Sequence, residues 1–160
     1  MHDIFYPDCI IAEKTRFDEE AWIAFSSDIH VRNNRHLKES FERFIDWLNS
    51  NDETARKVKY VFFAGDNIDG VGVFPGQESV LEIKGIKEQY KKLAEDLRRI
   101  PKRITIFMCA GQHDAVRLAE PQPAIDINYA RELYEIENLV LVTNPAMIKL
   151  IEKGKEFKIL

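Results

Sequence analysis

Apolar residues along the chain fall into two spacings. In the stretch VKYVFFAGDNIDG, Tyr60 to Ala64 are apolar without interruption and run straight into Gly65-Asp66. Such a run, rich in Val and Phe and closed by turn residues, predicts a central strand of a parallel sheet covered by helices on both faces. Ala21 to Ser27 (AWIAFSS), Arg103 to Cys109 (RITIFMC) and Leu139 to Val142 repeat the pattern. Between them the spacing changes. Leu37, Phe41, Phe44, Ile45 and Leu48 share one helical face as far as about Asn49, and Ile86, Tyr90, Leu93, Leu97 and Ile100 share another that stops at Pro101.

The segment SNDETARK reads as a link, so strand, helix and strand follow in the order that builds a parallel sheet through right-handed crossovers. Gly70 to Ser79, GVGVFPGQES, predicts a long ordered loop, and loops of that kind tend to carry function. Glu120 to Pro123 excludes regular structure, and Ile127 to Tyr134 predicts a short helix. Met147 to Ile151 and Phe157 to Leu160 flank Glu152-Lys153-Gly154-Lys155 as a hairpin. Residues 1–20 hold no sustained period and read as a lead-in segment, leaving 21–160 as the domain.

At 160 residues the chain is long enough to bury a core without disulfides or a structural metal. No apolar run approaches a membrane span, and the amino terminus lacks a basic segment followed by an apolar one, so a cytoplasmic protein with no membrane partner is expected. A net charge of -4 gives no overall positive field, so phosphate chemistry here needs local cations. Cys9 and Cys109 are far apart and outside any CxxC, which argues for packed, reduced thiols.

The candidate chemistry sits at the strand ends. The first run ends in Asp28-Ile29-His30, the second in Gly65-Asp66 with Asp69 beyond, the third in Gly111-Gln112-His113-Asp114. In extended chain, residues i and i+2 face one side, so Asp28 and His30 can meet at one point. A carboxylate and an imidazole there suit a divalent transition metal, although DxH alone also fits a helix-capping Asp with an incidental His, and Gly65-Asp66 alone an Asx turn capping a strand. Taken together, Asp66 is the natural bridge between two metal ions, with Asp28 and His30 on the first and the Gln112 amide oxygen offered to the second. His113 then faces substrate, where an imidazole can protonate a leaving alkoxide or hold a phosphate oxygen.

In this order, DxH, GDxxD and GQHD resemble the signature of the calcineurin-like metallophosphoesterases. The stretches GDNIDGVGVFPGQE and HDAVRLAEPQPA are similar to the branch formed by small subunits of archaeal family D DNA polymerases. The resemblance runs from about Trp22 to Pro145. It implies an α/β fold, a metallophosphoesterase-type layered fold with a mainly parallel sheet flanked by helices, its carboxy-terminal half missing. It also implies a proofreading 3′–5′ exonuclease acting by two-metal phosphodiester hydrolysis, two divalent ions, usually manganese, a large catalytic polymerase subunit as partner, and single-stranded or primer-end DNA as substrate. On that resemblance Asp28, His30 and Asp66 are metal ligands and His113 is the general acid.

Three departures follow. Gln112 stands where the family has Asn, and its longer arm predicts a weaker second metal. Arg32-Asn33-Asn34 replace small residues and either crowd the entrance or contact a phosphate. The family's later histidines and its amino-terminal oligonucleotide-binding domain have no counterpart, since the remaining histidines, His2 and His36, match neither motif. The chain is therefore expected to be a partial catalytic domain with impaired activity. Two other readings stay open: a noncatalytic scaffold that binds a polymerase subunit, and a phosphoesterase acting on nucleotides or phosphoproteins.

Overall fold

The computed structural model describes residues 20–31, 33, 37–152 and 154–159. All of the lead-in segment but Glu20, with His2 and Cys9, and also Arg32, Asn34, His36 and Leu160 lie outside the described residues. Two compact units are formed among the described residues, one from Glu20 to Ala146 and the other from Met147 onward.

In the larger unit, β1 (Trp22–Ser26), β2 (Val58–Ala64), β3 (Thr105–Cys109) and β4 (Leu139–Leu141) make one parallel sheet in the order β1-β2-β3-β4. Phe25 pairs with Phe62, Phe62 with Phe107 and Phe107 with Val140 across the register. Helices α1 (Lys38–Leu48), α2 (Glu53–Lys57), α3 (Ile86–Leu97) and α4 (Ile127–Tyr134) occupy the connections.

The expectation of helices on both faces is corrected. Successive strands sit side by side in chain order, so right-handed crossovers carry every helix to the same side. Phe41, Ile45 and Leu48 of α1, Tyr90, Leu93 and Leu97 of α3 and Leu133 of α4 join one core with Val61, Phe63, Ile106 and Met108 of the sheet. On the opposite face Phe25, Phe62 and Phe107 stack in a row, with ring centroids 5.0 and 4.9 Å apart. Two residues of that row's register, Phe25 at 63% and Val140 at 43%, remain exposed.

The link SNDETARK also needs correction, because its second half is the helix α2. Asp52 caps it by accepting from the Ala55 N–H at 2.9 Å, an N-cap signal that a five-residue helix gives without any apolar period. The second long helix ends at Leu97, three residues before the expected stop, and a turn in which Ile100 N–H donates to Leu97 O finishes it. At this end of the sheet, away from the strand tips with the candidate residues, the Arg103 guanidinium donates to Val58 O, Leu48 O and Ala55 O, tying α1 and α2 to the start of β2.

The second unit shows an antiparallel hairpin, β5 (Ile148–Glu152) and β6 (Lys155–Ile159), with Leu150 opposite Phe157 and Gly154 at φ 79 in its turn. No helix among the described residues is long and apolar enough to cross a membrane.

Candidate metal centre

The carboxyl ends of β1, β2 and β3 deliver the three motifs to one edge of the sheet. Beyond the strands the first two tips stay zipped together: Asp28 N–H donates to Gly65 O, His30 N–H to Asp66 O and Val31 N–H to Asn67 O, at 3.1 to 3.2 Å. Holding that course bends the backbone into the left-handed region at Asp28 (φ 55), His30 (φ 47) and Asp66 (φ 51). Non-glycine residues there cost on the order of 1 kcal/mol each and cluster where a side chain must be aimed. Among the described residues no other non-glycine position has a positive φ.

Two glycines let the second and third tips touch. At Gly65 (φ 88) a Cβ would lie 2.8 Å from Gly111 Cα, and at Gly111 it would intrude on both Asp66 Oδ1 and Asp66 N. The close approach lets the His113 N–H donate to Asp66 Oδ1 at 2.9 Å, fixing that carboxylate. Gly111→Ala adopts the backbone without strain but must push the Asp66 loop aside. We expect it to lower stability by about 2–3 kcal/mol and weaken divalent-metal binding tenfold or more, read by urea denaturation and metal titration. Unchanged values in both would mean that the two tips need not touch.

His30, Asp66 and His113 bring one ligand atom each within 4.8 Å of one another. The two imidazoles meet edge to face at 4.5 Å. Asp28 lies at the rim, 68% exposed, with Oδ1 4.0 Å from His30 Nε2. Gln112 is exposed and lines a neighbouring hollow with Val71 and Tyr129. The cluster itself opens into a cavity of about 670 Å³ walled by Leu37, Phe41, Phe44 and Phe74 as well as Asp28, His30 and His113.

Asp69 organises both histidines, a role that its motif position did not reveal. It is 1% exposed and accepts from Asn33 Nδ2 at 2.8 Å and from Gln77 Nε2 at 3.0 Å. Asn33, expected to crowd the entrance or contact a phosphate, holds this carboxylate. His30 Nδ1 lies 3.2 Å from Asp69 Oδ1 yet off the line of a hydrogen bond, which leaves it a buried nitrogen without a hydrogen-bond partner. A carboxylate facing Nδ1 still favours the proton there and leaves the Nε2 lone pair for a metal. For His113 the tautomer is firmer: Nδ1 is 2.8 Å from the Asp69 carbonyl, which can only accept, so Nδ1 carries a proton and Nε2 is the nitrogen left unengaged by that bond.

Beneath the cluster, Asp114 is a buried hub. Its Oδ2 accepts from Gly111 N, Asn67 N and Asn67 Nδ2, and its Oδ1 accepts from Tyr90 OH. Burial pushes its carboxyl above the ordinary range, against the pull of those donors. The Tyr90 hydroxyl is pushed up as well, by burial first and then by the Asp114 charge. Cys109 is free, and burial raises its thiol.

A family model described as calcineurin-like phosphoesterase matches residues 21–156. The chain belongs to that family. It is also similar to proteins named DNA polymerase II small subunit. That of Pyrococcus furiosus is 42% identical over 153 residues, covering 92% of this chain and 25% of the relative. Those of Methanocaldococcus jannaschii and Methanothermobacter thermautotrophicus are 40% and 38% identical, covering 94% and 92% of this chain and 26% and 32% of the relatives. The chain thus spans about a quarter to a third of the length of these curated relatives. The resemblance carried by GDNIDGVGVFPGQE and HDAVRLAEPQPA agrees with those names.

In this phosphoesterase domain the donors suit a divalent ion. The His30 imidazole with a nitrogen free to ligate, a fixed carboxylate and a second carboxylate at the rim form a mixed nitrogen and oxygen set, open on one side to a cavity, with the His113 imidazole beside it.

Proposed function

We propose that the chain carries the cluster of a metal-dependent 3′–5′ exonuclease acting on single-stranded or primer-end DNA, within the small subunit of an archaeal replicative polymerase that pairs with a large catalytic subunit in the cytoplasm. The observation that carries this reading is the convergence of His30, Asp66 and His113 from three parallel strand tips to within 4.8 Å. The names of the relatives support the polymerase setting.

Asp28, His30 and Asp66 would hold the first of two divalent ions, manganese being the ion that the resemblance implies, and Asp66 with Gln112 the second. When bound, such ions supply an acidic water and offset the phosphate charge. His113, with Nδ1–H anchored on the Asp69 carbonyl, can carry a second proton at Nε2 and release it to the departing 3′-oxygen. Asp66 keeps the His113 backbone in place through the N–H that it accepts. The aromatic wall of the cavity, Phe41, Phe44 and Phe74, supports a reading in which the terminal base is held out of water.

The exposure of Gln112 on the neighbouring hollow is the observation that favours a second reading, a scaffold with a weakened metal site. Release of nucleotide from a 3′-labelled single strand by the intact protein separates the two, with manganese required on the first reading and no release on the second. His113→Ala is expected to slow that release about a hundredfold or more, yet to spare thymidine 5′-(4-nitrophenyl phosphate), whose nitrophenolate leaves without a proton. Equal losses on both substrates would remove His113 from the acid role.

A further inference from the structure

The hollow that Gln112 faces has a volume of about 500 Å³, and among the described residues His113 is the single one lining both it and the cavity over the cluster. Its wall is apolar and open: Val71, Val73, Leu118 and Tyr129 are 42%, 39%, 71% and 44% exposed. Arg117 is the one cation on its lining among the described residues, with Nε and Nη2 both donating to the Pro121 carbonyl and the third nitrogen, Nη1, left for a ligand. Large apolar side chains gathered around a concavity beside a reactive cluster mark a place that a ligand covers.

We propose that this hollow holds the base and sugar of the penultimate nucleotide of a DNA 3′ end, the one that departs from the cleaved phosphate. The assignment rests on the exonuclease reading. In that reaction a water oxygen bonds to phosphorus, the bond from phosphorus to the 3′-oxygen of the penultimate nucleotide breaks, and that oxygen takes a proton. An imidazole that supplies the proton must stand at the departing oxygen, with the phosphate and terminal nucleotide on one side and the departing nucleoside on the other. His113 stands in that position as the partition between two hollows.

The chemistry of the second hollow suits a base of any identity. Tyr129, on the first turn of α4, offers a flat ring, and stacking on such a ring is tolerant of sequence because every base has a π face. Val71 and Val73 belong to the loop after β2, whose path is held by Gln77: its Oε1 accepts from Val73 N at 2.9 Å while its Nε2 donates to Asp69 O. One side of the hollow is therefore tied to the residue that orients both histidines. Arg117 is placed for the next phosphate along the strand, where a guanidinium binds well.

Two experiments on the intact protein test the assignment. Oligodeoxynucleotides with 5-iodouracil at the penultimate or at the terminal 3′ position are bound in calcium and irradiated, and the crosslinked peptides are sequenced. The penultimate probe is expected on the peptide containing Tyr129 and the terminal probe on another. In equilibrium binding, Tyr129→Ala should weaken a single-stranded oligonucleotide about tenfold, Tyr129→Phe should restore it, and Arg117→Gln should reduce the salt dependence by about one phosphate contact.

The assignment is overturned if the oligonucleotide does not bind, if the penultimate probe crosslinks elsewhere, or if Tyr129→Ala binds as tightly as the parent, the result expected were this patch to dock a protein instead. Failure of the exonuclease reading looks different: the crosslink and the Tyr129 dependence would persist while no metal supported hydrolysis.

Discussion

On the proposed exonuclease reading, Asp66→Asn in the intact protein is expected to lower manganese-dependent release of nucleotide by about three orders of magnitude while the melting temperature stays within a few degrees of the parent. Asparagine is the informative substitution because the site demands a left-handed residue, with φ 51, and Asn tolerates that conformation nearly as well as Asp. Its amide oxygen can still accept from the His113 N–H, so the loop keeps its anchor. What disappears is the negative charge between two imidazoles, and an interaction aimed at charge in a site shielded from water is worth a factor of about a hundred to a thousand even when one member is lost. Single-turnover release from a 3′-labelled strand, beside a manganese titration, gives the answer. Activity within tenfold of the parent would show that Asp66 does not hold the metal on which the reaction depends.

Asp114→Ala should bring the largest loss of stability, on the order of 4 kcal/mol. It strands the donors Gly111 N, Asn67 N and Tyr90 OH and one hydrogen of Asn67 Nδ2, whose other hydrogen keeps the Cys109 carbonyl, and each buried donor left unmatched costs about 1–3 kcal/mol. Asp114→Asn keeps one oxygen for the three nitrogens and should cost far less. The pH dependence discriminates further. Burial raises the Asp114 carboxyl above its ordinary value of 3.8, so between that value and the raised one the folded chain binds the extra proton. The Asp114 contribution is therefore fully present below about pH 3.8 and is lost as pH rises through the raised value. Urea denaturation in steps from acid to neutral pH should find the parent's advantage over Asp114→Asn shrinking as pH rises. An advantage that grows instead would mean that the four donors outweigh burial.

The elements legible in the chain were those with a local signature. β2 and β3 announce themselves as apolar runs ending in polar tips, and α1 and α3 by their period, because a side chain's neighbours on its own element are fixed by two or three to four residues of spacing. Helix α2 had no such signature, being five residues of mostly polar chain held by the Asp52 cap and by Arg103, whose guanidinium donates to Ala55 O from forty-eight residues away. The single-faced packing was equally hidden. Strand order is a property of the whole sheet, and only the sequence β1-β2-β3-β4 sends every crossover to one side.

The same division runs through the site. Asp28, His30, Asp66 and His113 could be picked out because DxH, GD and QHD stand at the ends of predicted strands, where a parallel sheet collects its reactive groups. Asp69 could not be given its part, because what it does depends on Asn33, thirty-six residues before it, and on two imidazoles from other tips. Nor could Asp114, whose donors come from positions 24 and 47 residues away.

By itself, then, the amino-acid sequence determined which side chains with metal-binding chemistry stand at which strand ends, and which family signature they spell. Tertiary structure alone decided where each group points: Gln112 toward a second hollow, His113 onto the wall between two, Asp69 beneath both histidines. The physical reason is that identity and spacing are written along one dimension, while direction is set by contacts between loops whose separation in the chain far exceeds any local period.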